Sequence, residues 1–127
     1  MAFIKSTNLI TDVALTVDNL TGGTNGKIVR ITGDNTVTNT TYSDTAAQLN
    51  SVLFKIDGIY YSAGVVPNVG EVAQIGSLIA GSSYFLGEQG YITSVAPTPS
   101  STVRVLYIGF ALNTSDLLFR PGIPISG

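Results

Sequence analysis

Short stretches in which apolar and polar residues alternate run through most of the chain and predict β-strands. In residues 13–17 (VALTV), Val13, Leu15 and Val17 fall on one face, which is the two-residue period of a half-buried strand. Residues 27–33 (KIVRITG) alternate in the same way, and the glycine-rich run 21–26 (TGGTNG) between them predicts a loop. The first third of the chain is therefore expected to form strands joined by turns.

The clearest local signal is a β-hairpin centred on Asp57-Gly58. This dipeptide favours a two-residue type I′ turn, because both central residues of that turn need positive φ. The resulting register pairs Phe54 with Tyr61, Lys55 with Tyr60 and Ile56 with Ile59, so that Phe54 and Tyr61 share an apolar face and the Lys55 stem lies on Tyr60. A second hairpin is predicted where residues 87–90 (GEQG) join residues 83–86 to residues 91–95.

Residues 102–112 (TVRVLYIGFAL) predict the longest strand of the chain. Its two faces would carry Val103, Val105, Tyr107 and Ala111 on one side and Leu106, Ile108, Phe110 and Leu112 on the other. Since both faces are apolar, the strand is expected to be buried on both sides, in a sandwich or against a neighbouring subunit. The tail at residues 117–125 (LLFRPGIPI) is expected to be an edge, because Pro121 and Pro124 cannot donate to a ladder.

One short helix is predicted within residues 42–51 (YSDTAAQLNS), with Ser43 or Asp44 as its N-cap. The predicted fold is therefore all-β: a small β-sandwich, a β-tulip-like domain or a barrel-like domain with this one helix. A length of 127 residues fits a single domain spanning residues 1–127.

The chain carries few charges, with 6 basic and 8 acidic side chains that make up 11% of its residues. Soluble domains average about 25%, so much of this surface must be neutral or apolar, and part of it is expected to contact another protein. A net charge of -2 without clustered Lys and Arg argues against direct nucleic-acid binding. No apolar run approaches the roughly 18 residues of a membrane span, and we expect no membrane partner.

The residue types needed for common catalytic and metal sites are missing, since the chain contains no Cys and no His. Ser-His-Asp and Cys-His nucleophiles are therefore impossible, and zinc loses its usual ligands. The acidic residues sit mostly beside Gly, Asn, Ser or Thr, which is typical of turns and caps. We expect no catalytic residues, no metal and no cofactor. The tyrosines and phenylalanines could form a sugar-binding platform, but core or interface positions are favoured.

Four features lie in order along residues 76–125: an Ala-Gly turn at 80–81, a Tyr-aromatic-Leu strand at 84–86, a Gly-led strand ending in Ala-Pro-Thr at 96–98, and a Val-rich strand closing on Gly-Phe-Ala-Leu at 109–112. This run resembles a β module that recurs in tailed-phage virion proteins, both capsid decoration proteins and fibre-like appendages. The resemblance covers about the last fifty residues. Residues 50–66 and the N-terminal segment fit a small decoration protein more loosely.

The resemblance implies a capsid decoration, or cement, protein that stabilises the major capsid lattice. Such proteins are made in the host cytoplasm, need no catalytic groups, assemble as homotrimers and bind the major capsid protein at the virion surface. The alternative is a fibre or tail-attachment module that binds a host surface. Candidate residues for the subunit or capsid interface are Phe3, Ile4, Leu106, Ile108, Phe110, Leu112, Phe119 and Arg120.

The N-terminal residues 1–10 (MAFIKSTNLI) alternate weakly between apolar and polar. Residues 1–12 could form an extended arm that adds a strand to a capsid sheet edge. They could equally form the first strand of the chain's own sheet, and the sequence leaves both alternatives open.

Overall fold

The computed structural model describes residues 14–126, and these residues form a mainly β structure, which confirms the predicted all-β class. Three short helical segments interrupt the strands: 3-10 turns at Gln48–Asn50 and Glu88–Gly90, and a single-turn α-helix, α1, at Val69–Val72. The strands of this region are, in order, β1 Leu15–Val17, β2 Thr21–Gly22, β3 Lys27–Gly33, β4 Thr36–Asn39, β5 Val52–Ile56, β6 Ile59–Val66, β7 Ser83–Leu86, β8 Ile92–Thr93, β9 Arg104–Val105, β10 Tyr107–Ala111, β11 Leu117–Phe119 and β12 Ile125–Ser126.

Most strands join one large sheet in the order β2-β4-β3-β5-β6-β11-β10-β7-β8, with β1 also paired to β6, while β9 and β12 form a separate pair. Strand β6 belongs to two halves of this sheet. Its start pairs with β5 and β1, and its end, from Gly64 to Val66, pairs with β11. Gly64 has a φ of 92°, a conformation that suits glycine. We call β1–β5 with the start of β6 the first half, and the end of β6 with β7, β8, β10 and β11 the second half.

The inner faces of the two halves enclose one hydrophobic core. The rings of Phe54 in the first half and Phe119 in the second lie 5.7 Å apart between centroids. The far end of the second half also returns to the first: the N–H of Tyr42 donates to the carbonyl of Gly87 at 3.2 Å, and Gly90 lies against the carbonyl of Ile28. The sheet therefore curls into a barrel-like shape, and its interior residues include Ile28, Phe54, Ile56, Tyr61, Val66, Tyr84, Leu86, Ile92, Leu106, Ile108, Leu117 and Phe119.

Both predicted hairpins are confirmed. Asp57 and Gly58 have φ values of 51° and 81°, and β5 and β6 pair in the predicted register. The Lys55 Nζ lies 5.1 Å from the centroid of the Tyr60 ring. In the second hairpin β7 pairs with β8, which is limited to Ile92–Thr93. The dipeptide signal thus fixed the first hairpin to the residue, because a type I′ turn leaves one register.

The prediction for residues 102–112 was wrong in two respects. Leu106 interrupts the run and separates β9 from β10, so the longest strand is β6 instead. The pairing of β10 with β7 shifts between Tyr107 and Gly109, and Ile108 and Gly109 are both buried. This bulge places Tyr107 and Phe110 on the same, half-exposed side. The strand is therefore not buried on both faces.

Two edge assignments also differ from prediction. The tail does not begin as an edge, because β11 lies between β6 and β10, and Leu117 and Phe119 are fully buried. Conversely, Leu15 and Val17 of β1 are 57% and 38% exposed, although the alternation predicted a buried face. Strand β1 pairs with β6 alone, and an irregularity between Leu15 and Thr16 breaks its alternation. Val13 lies outside the described residues.

The predicted helix is reduced to the 3-10 turn at Gln48–Asn50. Ala47 stands at the N-cap and makes no side-chain hydrogen bond there, so neither Ser43 nor Asp44 is the N-cap. Two residues earlier, Thr45 and Gln48 bind each other: the Gln48 N–H donates to Thr45 Oγ1 at 3.2 Å, and the Thr45 N–H donates to Gln48 Oε1 at 2.8 Å. This reciprocal pair has the hydrogen-bond pattern of a capping box. Asp44 instead accepts from the Thr41 N–H and pairs with the Arg30 guanidinium. The residue pattern of Val69–Val72 did not predict α1.

Candidate interaction surface

The outer side of the second half carries a row of apolar and aromatic side chains that the chain itself covers only in part. Phe110 pairs with Leu118, Leu118 with Val65, and Tyr107 with Phe85. Paired residues of neighbouring strands share a face, and all five of these side chains are half-buried. We call Val65, Phe85, Tyr107, Phe110 and Leu118 the outer aromatic face.

Aromatic contacts and one cation organise this face. The rings of Phe85 and Tyr107 meet edge to face, with centroids 6.0 Å apart and planes at 74°. The guanidinium carbon of Arg120, an exposed residue, lies 5.8 Å from the centroid of the Phe110 ring. Aromatic residues and arginine are enriched at the centres of protein interfaces, and rings already held by their neighbours lose little entropy when a partner binds.

The eight residues predicted for an interface separate into three groups. Leu106, Ile108 and Phe119 are fully buried in the chain's own core, so they present no surface to a partner. Phe110 lies in the outer aromatic face, Arg120 lies beside it, and Leu112 is 44% exposed at the end of β10. Phe3 and Ile4 lie outside the described residues.

Sequence reasoning missed most of the outer aromatic face. Val65, Phe85 and Leu118 were not selected, and Phe110 was assigned to the same side as Ile108. The available signal was Gly109 within an otherwise apolar run, because an isolated glycine in a strand suggests a bulge. Once the bulge is included, Tyr107 and Phe110 fall on one side and Ile108 falls on the other.

A groove of about 230 Å³ lies at the far end of the second half. Tyr84 forms its buried wall, and the Tyr84 hydroxyl accepts the N–H of Ile79 at 2.9 Å. The remaining lining is a mixture of apolar and hydroxyl side chains, namely Ile75, Ser77, Ile79, Ile92, Thr93 and Ser94. The lining has no charged group, so this groove suits a neutral group better than an ion.

The perturbed titratable groups connect elements of the fold. The Tyr42 hydroxyl donates to Glu88 Oε1 at 2.7 Å, and this hydrogen bond to a carboxylate raises the pKa of Tyr42. Burial, together with the charge of Asp57, raises the pKa of Tyr61. Across residues 14–126, His, Cys, Asp and Glu do not gather in groups of three that could hold a metal ion. None of the helices described is long and apolar enough to cross a membrane.

No family model matches the chain, and neither the curated proteins nor the solved structures include a significantly similar one.

Proposed function

We propose that this chain is a structural virion protein that decorates the major capsid lattice of a tailed phage. In this proposal it assembles as a homotrimer in the host cytoplasm and binds the major capsid protein at the outer surface of the virion. The outer aromatic face is the observation that carries the proposal. The resemblance of residues 76–125 to virion β modules supplies the biological setting.

The outer aromatic face supports a protein partner because its side chains are already ordered but remain incompletely covered. Phe85 and Tyr107 hold each other edge to face, and Arg120 lies over Phe110. Burial of such rings by a partner is favourable at about 25 cal/mol per Å² of apolar surface. With only 11% of its residues charged, the chain has little charge to desolvate when an interface closes over its surface.

Decoration would work through the number of contacts that one trimer makes at once. Each subunit of the trimer would make an equivalent contact with neighbouring capsid subunits, so that modest single contacts combine into strong overall binding. The bound trimer would hold neighbouring capsid subunits together, because separating them would expose the surface buried between the trimer and each subunit.

The first test measures self-association of the full chain by native mass spectrometry and analytical ultracentrifugation. We expect a trimer, and we expect Phe110→Ser to shift the population toward monomer. The control is Ile59→Ser, which removes an apolar side chain that is 44% exposed at the tip of the first hairpin, outside the outer aromatic face. Equal losses for the two variants, or no loss for either, would exclude the outer aromatic face as the subunit contact.

The second test counts copies of the chain in purified virions by quantitative mass spectrometry. Hundreds of copies would support decoration of the lattice. A dozen copies or fewer would favour the fibre or tail-attachment alternative, and absence from particles would reject both. Because this count does not depend on which face forms the trimer, it separates an error in function from an error in the assigned surface.

A further inference from the structure

We propose that Asn25 is a site of deamidation that the fold keeps closed, so that its modification records opening of the turn at residues 24–27. Asn25-Gly26 is the one Asn-Gly dipeptide in the sequence. In such a dipeptide the following backbone nitrogen can reach the asparagine side chain, because glycine has no side chain to obstruct the approach. The reagent required is water.

The reaction conserves atoms and changes no oxidation state. The Gly26 backbone nitrogen attacks the side-chain carbonyl carbon, Cγ, of Asn25, and a bond forms between them. The Cγ–Nδ2 bond breaks, and the amide nitrogen leaves as ammonia after taking up the proton lost by Gly26. Water then opens the cyclic imide at either carbonyl, which yields aspartate or isoaspartate at position 25.

Both reacting groups are engaged in the folded chain. The Gly26 N–H, which is the nucleophile, donates to the carbonyl of Lys55 at 2.7 Å, and Gly26 is buried. The side-chain oxygen of Asn25, a residue otherwise exposed, accepts the Gly58 N–H at 2.8 Å. The reaction needs Gly26 to lose its proton and turn toward Asn25, so the turn must open first.

Neighbouring contacts hold the turn in place. Asn39 accepts the Thr24 N–H at 2.9 Å through Oδ1 and donates to Thr24 Oγ1 at 3.0 Å through Nδ2. A methyl group added at Gly26 would lie 2.5 Å from the carbonyl oxygen of Val72, which shows how closely this backbone packs against α1. An isoaspartate inserts an extra methylene into the main chain here, so a modified turn could not close again in the same position.

The test compares the rate of deamidation at Asn25 with the rate of hydrogen exchange at the Gly26 N–H. Deamidation of Asn25 in the full chain and in a synthetic peptide of residues 21–30 is followed by mass spectrometry under identical conditions, and hydrogen exchange at Gly26 is measured separately. We expect deamidation in the folded chain to be at least about tenfold slower than in the peptide, because both processes need the same local opening. We also expect the factor by which folding slows deamidation to equal the hydrogen-exchange protection factor of the Gly26 amide.

Asn39→Ala loosens the turn without changing Asn25 or Gly26. It should accelerate deamidation and Gly26 exchange by the same factor, and, should this variant fail to fold, its rate should equal that of the peptide. The matched control is Asn113→Ala, which removes similar contacts, to the N–H groups of Ser115 and Asp116 at 2.8 Å each, in a turn of the second half. Modification of the folded chain at the peptide rate would overturn the proposal. Faster Gly26 exchange in Asn39→Ala without faster deamidation would also overturn it.

Discussion

The two halves of the sheet treat their outer sides differently. In the first half the outer side carries Val29, Val37, Leu53 and Tyr60, none of which is more than 7% exposed. In the second half the corresponding side carries the outer aromatic face, whose members all remain half-buried. Both rows are apolar, so composition alone does not distinguish a surface that the chain covers itself from one left open.

The difference arises from residues 20–23, which include β2 and cover the outer side of the first half. Leu20 packs against the covered row, and the Gly22 carbonyl accepts the Tyr60 hydroxyl at 2.8 Å and the Lys55 Nζ at 3.0 Å. Gly23 approaches Val29 so closely that a methyl group there would lie 2.6 Å from Val29 Cγ1. The glycine-rich segment therefore covers the apolar row, because its backbone comes close enough for the Gly22 carbonyl to accept hydrogen bonds from the side chains below. Over the outer aromatic face the described residues place the Arg120 side chain near Phe110 and the Gly122 backbone near Tyr107.

The largest expected effect separates the inside of the second half from its outside. Ile108→Asp places a carboxylate in a fully buried site, and we expect loss of folding, since an unpaired buried charge costs more than a typical domain can absorb. Phe110→Asp, two residues along the same strand, should fold and lose self-association. Circular dichroism and thermal unfolding measure whether each variant folds, and native mass spectrometry measures its self-association. A soluble, folded Ile108→Asp protein would show that this side of β10 is not the interior.

A smaller effect should distinguish the covered row from the open one. Tyr60→Phe removes the hydroxyl that donates to Gly22, and we expect a loss of about 1 kcal/mol in the free energy of unfolding. Tyr107→Phe makes the same chemical change in the outer aromatic face, where the described residues give its hydroxyl no hydrogen bond, and should cost less than about 0.5 kcal/mol. Urea titrations of the two variants against the wild type provide the comparison. Equal losses would mean that the loop does not stabilise the first half through this bond.

The smallest effect concerns a contact between the halves, the hydrogen bond from Tyr42 to Glu88. It raises the pKa of Tyr42 above 10.0, because the neutral phenol is the donor. The unfolded chain therefore ionises at lower pH than the folded chain, so the contribution to stability is complete below pH 10 and is lost as the pH rises through the folded pKa. Phenolate absorbance during an alkaline titration should show one late-titrating tyrosine fewer in Tyr42→Phe.

Glu88→Gln is the control for this titration. It removes the negative charge of the acceptor and retains a side-chain oxygen, so the pKa of Tyr42 should move back toward its ordinary value. A Tyr42 titration that is unchanged in Glu88→Gln would show that the carboxylate is not the cause of the raised pKa.

Local turn chemistry was readable from the sequence, whereas long-range pairing was not. Asp57-Gly58 determined both the turn and the register of β5 with β6, because neighbouring strands joined by two residues have no freedom to shift. For Leu117–Phe119, by contrast, the following Pro121 and Pro124 predicted an edge. Those prolines do end the pairing, but nothing local indicates that the preceding residues lie between β6 and β10.

The candidate surface was only partly predictable for a related reason. Phe110 and Ile108 belong to the same apolar run, residues 102–112, and the candidate set included both. The structure places Phe110 in the outer aromatic face and Ile108, like Phe119, in the core. An apolar residue is expected to be buried, but its type does not say whether its own chain or a partner covers it. The bulge between Tyr107 and Gly109 also changes which residues of β10 face outward.

The shared strand β6 also has a consequence for the order of events during synthesis. Strands β3 to β6 pair with neighbours close in the sequence, so the first half can form soon after the hairpin at Asp57-Gly58 leaves the ribosome. The end of β6 must wait for β11, which follows much later in the sequence, at Leu117–Phe119. Until then Gly64–Val66 is an unpaired ladder on a nascent protein, and we expect pulse-labelled chains truncated before residue 117 to be the ones that chaperones retain.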